Sequence, residues 1–272
     1  MLYTSAALLS CVLATALAAP AAEPSSTAVA KPEIDINSAI PEIVPVNTRG
    51  EDAELIAKLL SVSTNGDRAA LLDQPGDFVF DFSYEAAPKS ALSKGKGGAT
   101  ISANAKTFPA LIGTGSAMTV GELGPCGFNT PHVHNRATEL NIIVHGRLVT
   151  NFVTENRVTP VENTMEQWQM SVFPQGAIHG EYNPDCTPAV FVAGFNNEDP
   201  GVSQIAQNFF ALENQLLKAT LGGVNTFNGE DIETFRGVIP ANVAQGIDRC
   251  LERCGIQRNA KRDLGDFMSL IE

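Results

Sequence analysis

The residues with the clearest chemical potential in this sequence are histidines. There are only four among 272 residues, and three of them fall within FNTPHVHNRATELNIIVHG, residues 128–146. One residue separates His132 from His134, and Glu139 follows five residues later. Because alternate side chains of a β-strand point to the same face, two histidines at this spacing can bind one ion together. The pattern therefore predicts a metal site.

A second segment, FPQGAIHGEYN at residues 173–183, contains His179. Its proline and glycine predict a tight turn that brings His179 towards the first segment. Residues 135–138 leave room for another turn, so that Glu139 can return beside the two imidazoles. Three imidazoles and one carboxylate suit a divalent first-row metal such as Mn, Fe, Ni or Zn, and the ligands alone do not choose between them.

Composition limits the partners. The chain is 44% hydrophobic, which is enough for the core of one large domain. Its formal net charge is -12, so nucleic acid and anionic membrane surfaces repel it and are excluded as main partners. A small anionic substrate is not excluded, because a bound metal reverses the local field.

The first residues have the pattern of a secretion signal. An apolar run ends in Ala16-Leu17-Ala18, which is the small-x-small pattern that a signal peptidase cleaves. The run is too short to span a bilayer. We predict a signal peptide over residues 1–18 and an extended leader rich in Ala, Pro and Ser over 19–47. The alternative is an apolar strand or helix buried at the start of the domain.

Signal cleavage would remove Cys11 and leave Cys126, Cys186, Cys250 and Cys254. An even number of cysteines in an oxidising compartment predicts disulfides, and four cysteines allow three pairings. We favour Cys126–Cys186, since each of these two flanks a candidate metal segment. The other two are either bridged to each other or buried as free thiols on one helix face.

The rest of the chain predicts a β core between helices. Thr48 to Glu51 fits a capping box that opens a short helix. Short apolar runs alternate with turn residues from about 109 to 195, which is typical of a sandwich or barrel. Helical spacing then appears over 205–216 and again over 243–251. We also expect Trp168 to lie in the core and His145 to lie on the surface.

The two histidine segments resemble the paired motifs of the cupins. PHVHNRATEL and VAGFNNEDPG resemble, more narrowly, the germins and germin-like proteins, including their fungal and spherulin-like relatives. The resemblance implies a mainly β jelly-roll barrel with flanking N-terminal and C-terminal helices. It divides the chain into a cupin domain over 48–225 and a helical C-terminal extension over 226–272.

The resemblance also implies a ligand set and a metal. The ligands of the family carry over onto His132, His134, Glu139 and His179, which in germins hold Mn(II) and leave positions open for a small substrate. The glycines that usually begin the two motifs are replaced by Cys126 and Trp168.

Two further positions concern the substrate. The oxalate-oxidising germins hold oxalate with two asparagines. One of them is matched by Asn129, whereas the other is replaced by Thr119, which offers one hydroxyl donor where an amide offers two.

These observations lead to competing hypotheses. The first is a secreted, Mn(II)-dependent oxidoreductase that oligomerises with itself and uses Glu139, Asn129 and Thr119 at its active site. Its substrate would be superoxide, as in a dismutase, or a small carboxylate, as in an oxalate oxidase that releases hydrogen peroxide. The alternative is a non-enzymatic spore-coat or cell-wall protein of the spherulin type.

Overall fold

The computed structural model describes residues 46, 49–223, 226–227 and 230–257. The predicted signal peptide, nearly all of the predicted leader and Thr48 lie outside this part of the chain. Within it, no helix is long and apolar enough to cross a bilayer.

Strands outnumber helices among the regular elements of the described chain. The strands are β1 (Leu92–Gly95), β2 (Gly98–Ala103), β3 (Ala117–Leu123), β4 (Gly127–Val133), β5 (Glu139–His145), β6 (Leu148–Val153), β7 (Val161–Met165), β8 (Met170–Phe173), β9 (Ile178–Tyr182), β10 (Ala189–Phe195), β11 (Ser203–Gln204), β12 (Thr226–Phe227), β13 (Glu230–Asp231) and β14 (Ala244–Gln245). The α-helices are α1 (Ala53–Ser61), α2 (Asn65–Leu71), α3 (Ile205–Phe210), α4 (Asn214–Thr220), α5 (Ile232–Arg236) and α6 (Asp248–Arg253).

Two antiparallel sheets form the barrel. The first has the order β1-β2-β3-β10-β5-β8, and the second has the order β11-β4-β9-β6-β7, with β14 also paired to β4. Inward-facing side chains alternate with outward-facing ones along β5 and β10, and the burial of β10 alternates strictly. The expected mainly β, jelly-roll barrel with flanking helices is confirmed.

The barrel interior contains an apolar core and a group of buried polar side chains. The apolar core is built mainly from β3, β5, β6 and β10, and its largest fully buried side chains include Phe191, Ile143, Leu123 and Leu148. The remaining inward positions of β4, β5 and β9 are polar. A buried polar group is stable only when it is paired, so these polar side chains mark the place where a functional site is expected.

The helices differ in detail from the sequence-based expectation. The first helix begins at Ala53, and its N-cap is Asp52, whose carboxylate accepts a hydrogen bond from the Leu55 amide. The predicted capping box is wrong, because Glu51 adopts a left-handed φ of 66° one residue before this cap. The segment 205–216 forms two short helices, α3 and α4.

The C-terminal segment is part of the barrel wall. Val243 was expected on a helix face, but it is fully buried in the barrel core, and the next two residues form β14 against β4. Only α6 keeps the helical conformation expected for this region. Burial of Val243 and strand pairing therefore outweigh the local helical spacing.

The disulfides correct the pairing favoured from the sequence. The structure links Cys126 to Cys250 and Cys186 to Cys254, with 5.4 Å between the Cα atoms in each bridge. The predicted Cys126–Cys186 bridge is wrong. Cys250 lies on α6 and Cys254 is its C-cap residue one turn later, so both face the barrel and each reaches a different partner.

The expected core position of Trp168 is also wrong. Trp168 is 69% exposed and lies in the turn before β8 with a φ of 70°. Cys126 has a φ of 58°. These are the two positions at which the motifs usually have glycine, and both keep the left-handed backbone that favours glycine. The turns therefore persist although the glycines are replaced.

Candidate metal centre

Strands of both sheets position the four candidate ligands. His132 lies on β4 directly opposite His179 on β9, and His134 follows one residue after β4 ends. Glu139 is the first residue of β5. The structure therefore brings together all four residues expected from the sequence. The ligand atoms lie within 4.8 Å of one another, and each residue is at most 8% exposed.

The backbone fixes the orientation of all three imidazoles. The Nδ1 atoms of His132, His134 and His179 lie 2.9, 2.6 and 2.9 Å from the carbonyl oxygens of Thr130, Gly201 and Ala177. A carbonyl oxygen only accepts, so each Nδ1 carries the proton and donates it. In the neutral ring Nε2 is then unprotonated, and its lone pair is free to bind a metal.

The carboxylate of Glu139 lies at the centre of this group. Its Oε2 atom is 3.0 Å from Nε2 of His134 and 3.1 Å from Nε2 of His179. Its Oε1 atom accepts a hydrogen bond of 2.9 Å from the Asn141 amide. Asn141 is fully buried, so this bond holds the carboxylate in one orientation within the barrel.

The electrostatics favour a charged carboxylate and act in opposite directions on two of the histidines around it. Burial alone would raise the pKa of Glu139, but hydrogen bonds from His134 and His179 outweigh burial and hold its pKa well below the usual range. Burial, together with the neighbouring histidines, lowers the pKa of His132 to about 3. Burial also opposes the charged form of His179, but the hydrogen bond to Glu139 raises its pKa.

The donor set fits a metal ion. Metal–nitrogen and metal–oxygen bonds of about 2.0–2.2 Å separate ligand atoms by about 3–4.4 Å, which agrees with the observed spacing. Three neutral nitrogens and one carboxylate oxygen also leave part of the charge of a divalent ion uncompensated, and this charge can attract an anion. The four residues can therefore hold one divalent ion.

Aromatic side chains pack around the imidazoles. The Phe173 ring is stacked on His179 with 4.5 Å between centroids, and Phe195 lies 4.6 Å from the His134 ring. Such packing limits ring rotation and excludes water from that side of the site.

A cavity of about 340 Å³ opens beside the centre. His132, His134 and Glu139 line it, and so do Thr119 and Asn129, the two residues expected to contact a substrate. The fourth histidine, His145, is exposed at the end of β5, as expected from the sequence.

Other polar residues of the site were missed from the sequence. The Ser102 hydroxyl lies 2.8 Å from the Thr119 hydroxyl at the cavity wall. Glu181 accepts a hydrogen bond from the Asn129 amide, and its pKa is raised to about 7 by burial and by the charge of Glu139. The period of two was an available signal, because Asn141 follows Glu139 and Glu181 follows His179 at that interval.

Comparison with known proteins agrees with this architecture. Residues 84–233 match the Cupin family. Spherulin-1A of Physarum polycephalum is 42% identical over 202 residues, which cover 74% of this chain and 79% of the relative. Germin-like protein subfamily 3 member 2 of Arabidopsis thaliana is 33% identical over 46% of this chain and 56% of the relative.

A solved structure of oxalate oxidase has a TM-score of 0.49 to this chain at 24% identity, covering 55% of this chain and 76% of that one. The sequence match and the barrel with its His₃Glu centre place the protein in one class: the chain belongs to the cupin family. Within that family it is a germin-like cupin of the spherulin group.

Proposed function

We propose that this protein is a secreted oxidoreductase that binds one Mn(II) through His132, His134, Glu139 and His179 and acts on a small oxygen species. The observation that carries the proposal is the convergence of three Nε2 atoms and one carboxylate oxygen within 4.8 Å, beside a cavity. A bound Mn(II) would supply one-electron redox chemistry, and Fe, Ni and Zn are the alternatives that the same ligands accept.

The chain itself contributes a rigid and largely dry site. The three Nδ1 hydrogen bonds fix the orientation of the imidazoles, and Asn141 holds the carboxylate. Phe191 and Phe195 form an apolar wall of the cavity. A small molecule that enters the cavity therefore meets fixed ligands with little competing water.

The polar groups of the cavity favour superoxide over oxalate. The Thr119 hydroxyl is already paired with Ser102, and one amide hydrogen of Asn129 is donated to Glu181. Oxalate presents four oxygen acceptors and needs several free donors, whereas superoxide needs few. A small carboxylate is the second substrate class, with hydrogen peroxide as the product of its oxidation.

The test uses the metal-loaded, secreted protein in a superoxide dismutation assay and in an assay of peroxide released from oxalate. Glu139→Ala should abolish both metal binding and activity. His145→Ala is the matched control, because this histidine is exposed and lies outside the metal centre. Turnover by Glu139→Ala equal to that of the native protein would contradict the proposal.

A separate variant tests the carboxylate substrate. Thr119→Asn restores the amide that the oxalate-oxidising germins have at this position, so it should raise peroxide release from oxalate if the cavity otherwise accepts oxalate. No gain at full Mn loading would exclude an oxalate site of the germin kind.

A structural wall protein is the second candidate function. It is favoured by the 42% identity to Spherulin-1A and by the two disulfides that tie α6 to the barrel. Here Glu139→Ala would leave wall association unchanged, and the native protein would show neither activity.

The two disulfides also support secretion, since such bridges persist in oxidising compartments. We propose cleavage after Ala18, a leader over 19–47, a cupin domain over 48–225 and a C-terminal extension over 226–272. Sequencing of the secreted chain should find its N-terminus at Ala19. A secreted chain that still begins at Met1 would contradict the predicted signal peptide.

A further inference from the structure

The cavity beside the metal centre is larger than a small oxygen species requires. Its volume of about 340 Å³ is room for about ten water molecules at about 30 Å³ each. A diatomic molecule at the metal would leave most of this space to water. Cavities of about 300–1,000 Å³ are typical of sites that enclose a whole organic ligand. The cavity therefore has room for a molecule larger than superoxide or oxalate.

Three side-chain amides in the cavity wall are held by their oxygen atoms. Oδ1 of Asn104 accepts hydrogen bonds of 2.9 and 3.1 Å from two backbone amides of the turn that follows it. Oδ1 of Asn242 accepts one of 2.9 Å from the backbone amide of Thr130. Oε1 of Gln204 accepts one from the Thr130 hydroxyl. These bonds fix the orientation of all three amides, and all three line the cavity.

The nitrogen atoms of the same amides are available to a ligand. Within the described residues, none of the three donates a hydrogen bond from its NH₂ group. Each NH₂ group offers two donors, and its orientation is already set before a ligand binds, which lowers the entropic cost of binding. Asn104 follows β2 of the first sheet, and Gln204 belongs to β11 of the second. The donors therefore come from both sides of the barrel.

Hydroxyl groups of the wall add acceptors to these donors. Ser90 and Thr100 line the cavity, and neither hydroxyl makes a hydrogen bond to another residue in the described part of the chain. A hydroxyl group of a ligand both donates and accepts. It can therefore accept from a wall amide and donate to a wall hydroxyl, whereas a carboxylate oxygen can only accept.

The wall has no cationic side chain for an anionic ligand. Of the described residues that line the cavity, none is a lysine or an arginine. The carboxylates that line it are Glu139, which belongs to the metal centre, and Asp199, which forms an ion pair of 2.7 Å with Arg136. The net charge of -12 also repels anions from the molecule as a whole. An uncharged ligand avoids both costs.

The rest of the wall is apolar. Phe191 and Phe195 line the cavity together with small residues such as Ala117 and Ala193. Apolar walls with a few placed polar groups are usual for an organic ligand site. The C–H groups of a sugar ring can pack against these side chains while its hydroxyls meet the amides.

We propose that the cavity binds a neutral, hydroxyl-rich molecule the size of one sugar unit, next to the metal centre. Such a molecule has on the order of a dozen non-hydrogen atoms, which suits a cavity at the small end of the range for organic ligands. The inference rests on the cavity and not on the redox function, so each can fail without the other. A free sugar and the terminal unit of a glycan chain offer the same chemistry.

The experiment measures binding to the mature, secreted protein by calorimetry and by ligand-observed NMR. The probes are D-glucose, D-mannose and D-galactose, and at least one should bind with a dissociation constant of about 1 mM or lower. Cyclohexanol has a single hydroxyl on a ring of similar size, and glucuronate adds a carboxylate. Both should bind at least ~10-fold more weakly than the best sugar.

The methyl glycoside of the sugar that binds separates the two sources. Its first carbon is blocked in the way that a glycan chain blocks it. Retained affinity would identify the terminal unit of a glycan, and lost affinity would identify a free sugar.

Two variants locate the ligand. Gln204→Leu removes an amide and Thr100→Val removes a hydroxyl, each with little change in size. Each should raise the dissociation constant about 3–10-fold through the loss of one hydrogen bond. Gln167→Leu and Thr164→Val are the matched controls, because they make the same changes at exposed residues outside the cavity. Metal content and circular dichroism should be unchanged in all four.

The metal supplies an independent measure of position. Mn(II) is paramagnetic and Zn(II) is not, so Mn(II) in the site should broaden the proton signals of the bound sugar and Zn(II) should leave them sharp. Calorimetry needs neither metal, so sugar binding remains measurable in a protein that holds no Mn(II).

Four results would overturn the proposal. The first is folded protein to which none of the sugars binds below about 10 mM. The second is cyclohexanol or glucuronate binding as tightly as the best sugar. The third is an affinity that both Gln204→Leu and Thr100→Val leave unchanged, which places the ligand elsewhere. The fourth is sharp sugar signals in protein shown to hold both the sugar and Mn(II).

Discussion

Asn141 offers a sharp test of how the site is built, because it touches the candidate metal ligand Glu139 and is not itself one of the four candidate ligands. Its amide donates to Oε1 of Glu139 at 2.9 Å, and the side chain is fully buried. A hydrogen bond to a charged group is worth about 1.5–3 kcal/mol. Loss of a residue that supports a metal ligand usually weakens metal binding by about 10–100-fold. Asn141→Ala should therefore weaken Mn(II) binding by about 10–100-fold, or about 1.4–2.7 kcal/mol.

The assay is a titration of the apo-protein with Mn(II) in competition with a chelator, with free Mn(II) measured by paramagnetic resonance. Asn163→Ala is the matched control, because Asn163 is an exposed residue of β7. Chemical denaturation of both apo-variants separates a loss of stability from a loss of affinity. A dissociation constant for Asn141→Ala within twofold of the native value, in folded protein, would refute the view that this bond orients the carboxylate.

Three further predictions concern stability. Replacing Cys186 and Cys254 by serine removes one disulfide. That bridge closes a loop of about 64 residues, counted along the shortest covalent path, which runs through the Cys126–Cys250 bridge, so the free energy of unfolding in chemical denaturation should fall by about 4 kcal/mol. A change below about 1 kcal/mol would contradict this loop-closure argument. Arg147 forms a bidentate ion pair with Asp185 and lowers the pKa of that carboxyl. Arg147→Gln should therefore lower the free energy of unfolding by about 0.5 kcal/mol at pH 7. This difference between native protein and variant should persist down to about pH 4 and vanish below the lowered pKa of Asp185. An equal difference at pH 2 and pH 7 would contradict an ionic origin. A Cβ at Gly121 would lie 2.2 Å from the buried ring of Phe191. Gly121→Ala should therefore lower the melting temperature by several degrees. An unchanged melting temperature would show that the ring moves freely.

The convergence of the four candidate ligands was predictable because strand geometry is local. His132 and His134 share a face for the same reason that any i and i+2 pair does, and the spacing to Glu139 is set by one short turn. The same rule applied to β5 and β9 would also have found Asn141 and Glu181, whose types are less distinctive than histidine.

Features that depend on distant parts of the chain were not predictable. The disulfide pairing follows from where α6 packs against the barrel, and no local pattern around Cys126 contains that information. Val243 has helical neighbours at the right spacing, yet its burial in the barrel core decides its conformation. Trp168 was expected inside because tryptophan is usually buried, and only the direction of its turn places it outside.

The most direct test of the central claim is elemental analysis of the secreted, mature protein. We predict one Mn per chain, lost on Glu139→Ala and retained on His145→Ala. One Zn or Ni per chain would keep the ligand set but contradict the redox function proposed for it. Little or no metal in a protein shown to be folded would contradict the metal centre itself and leave the structural wall protein as the better account.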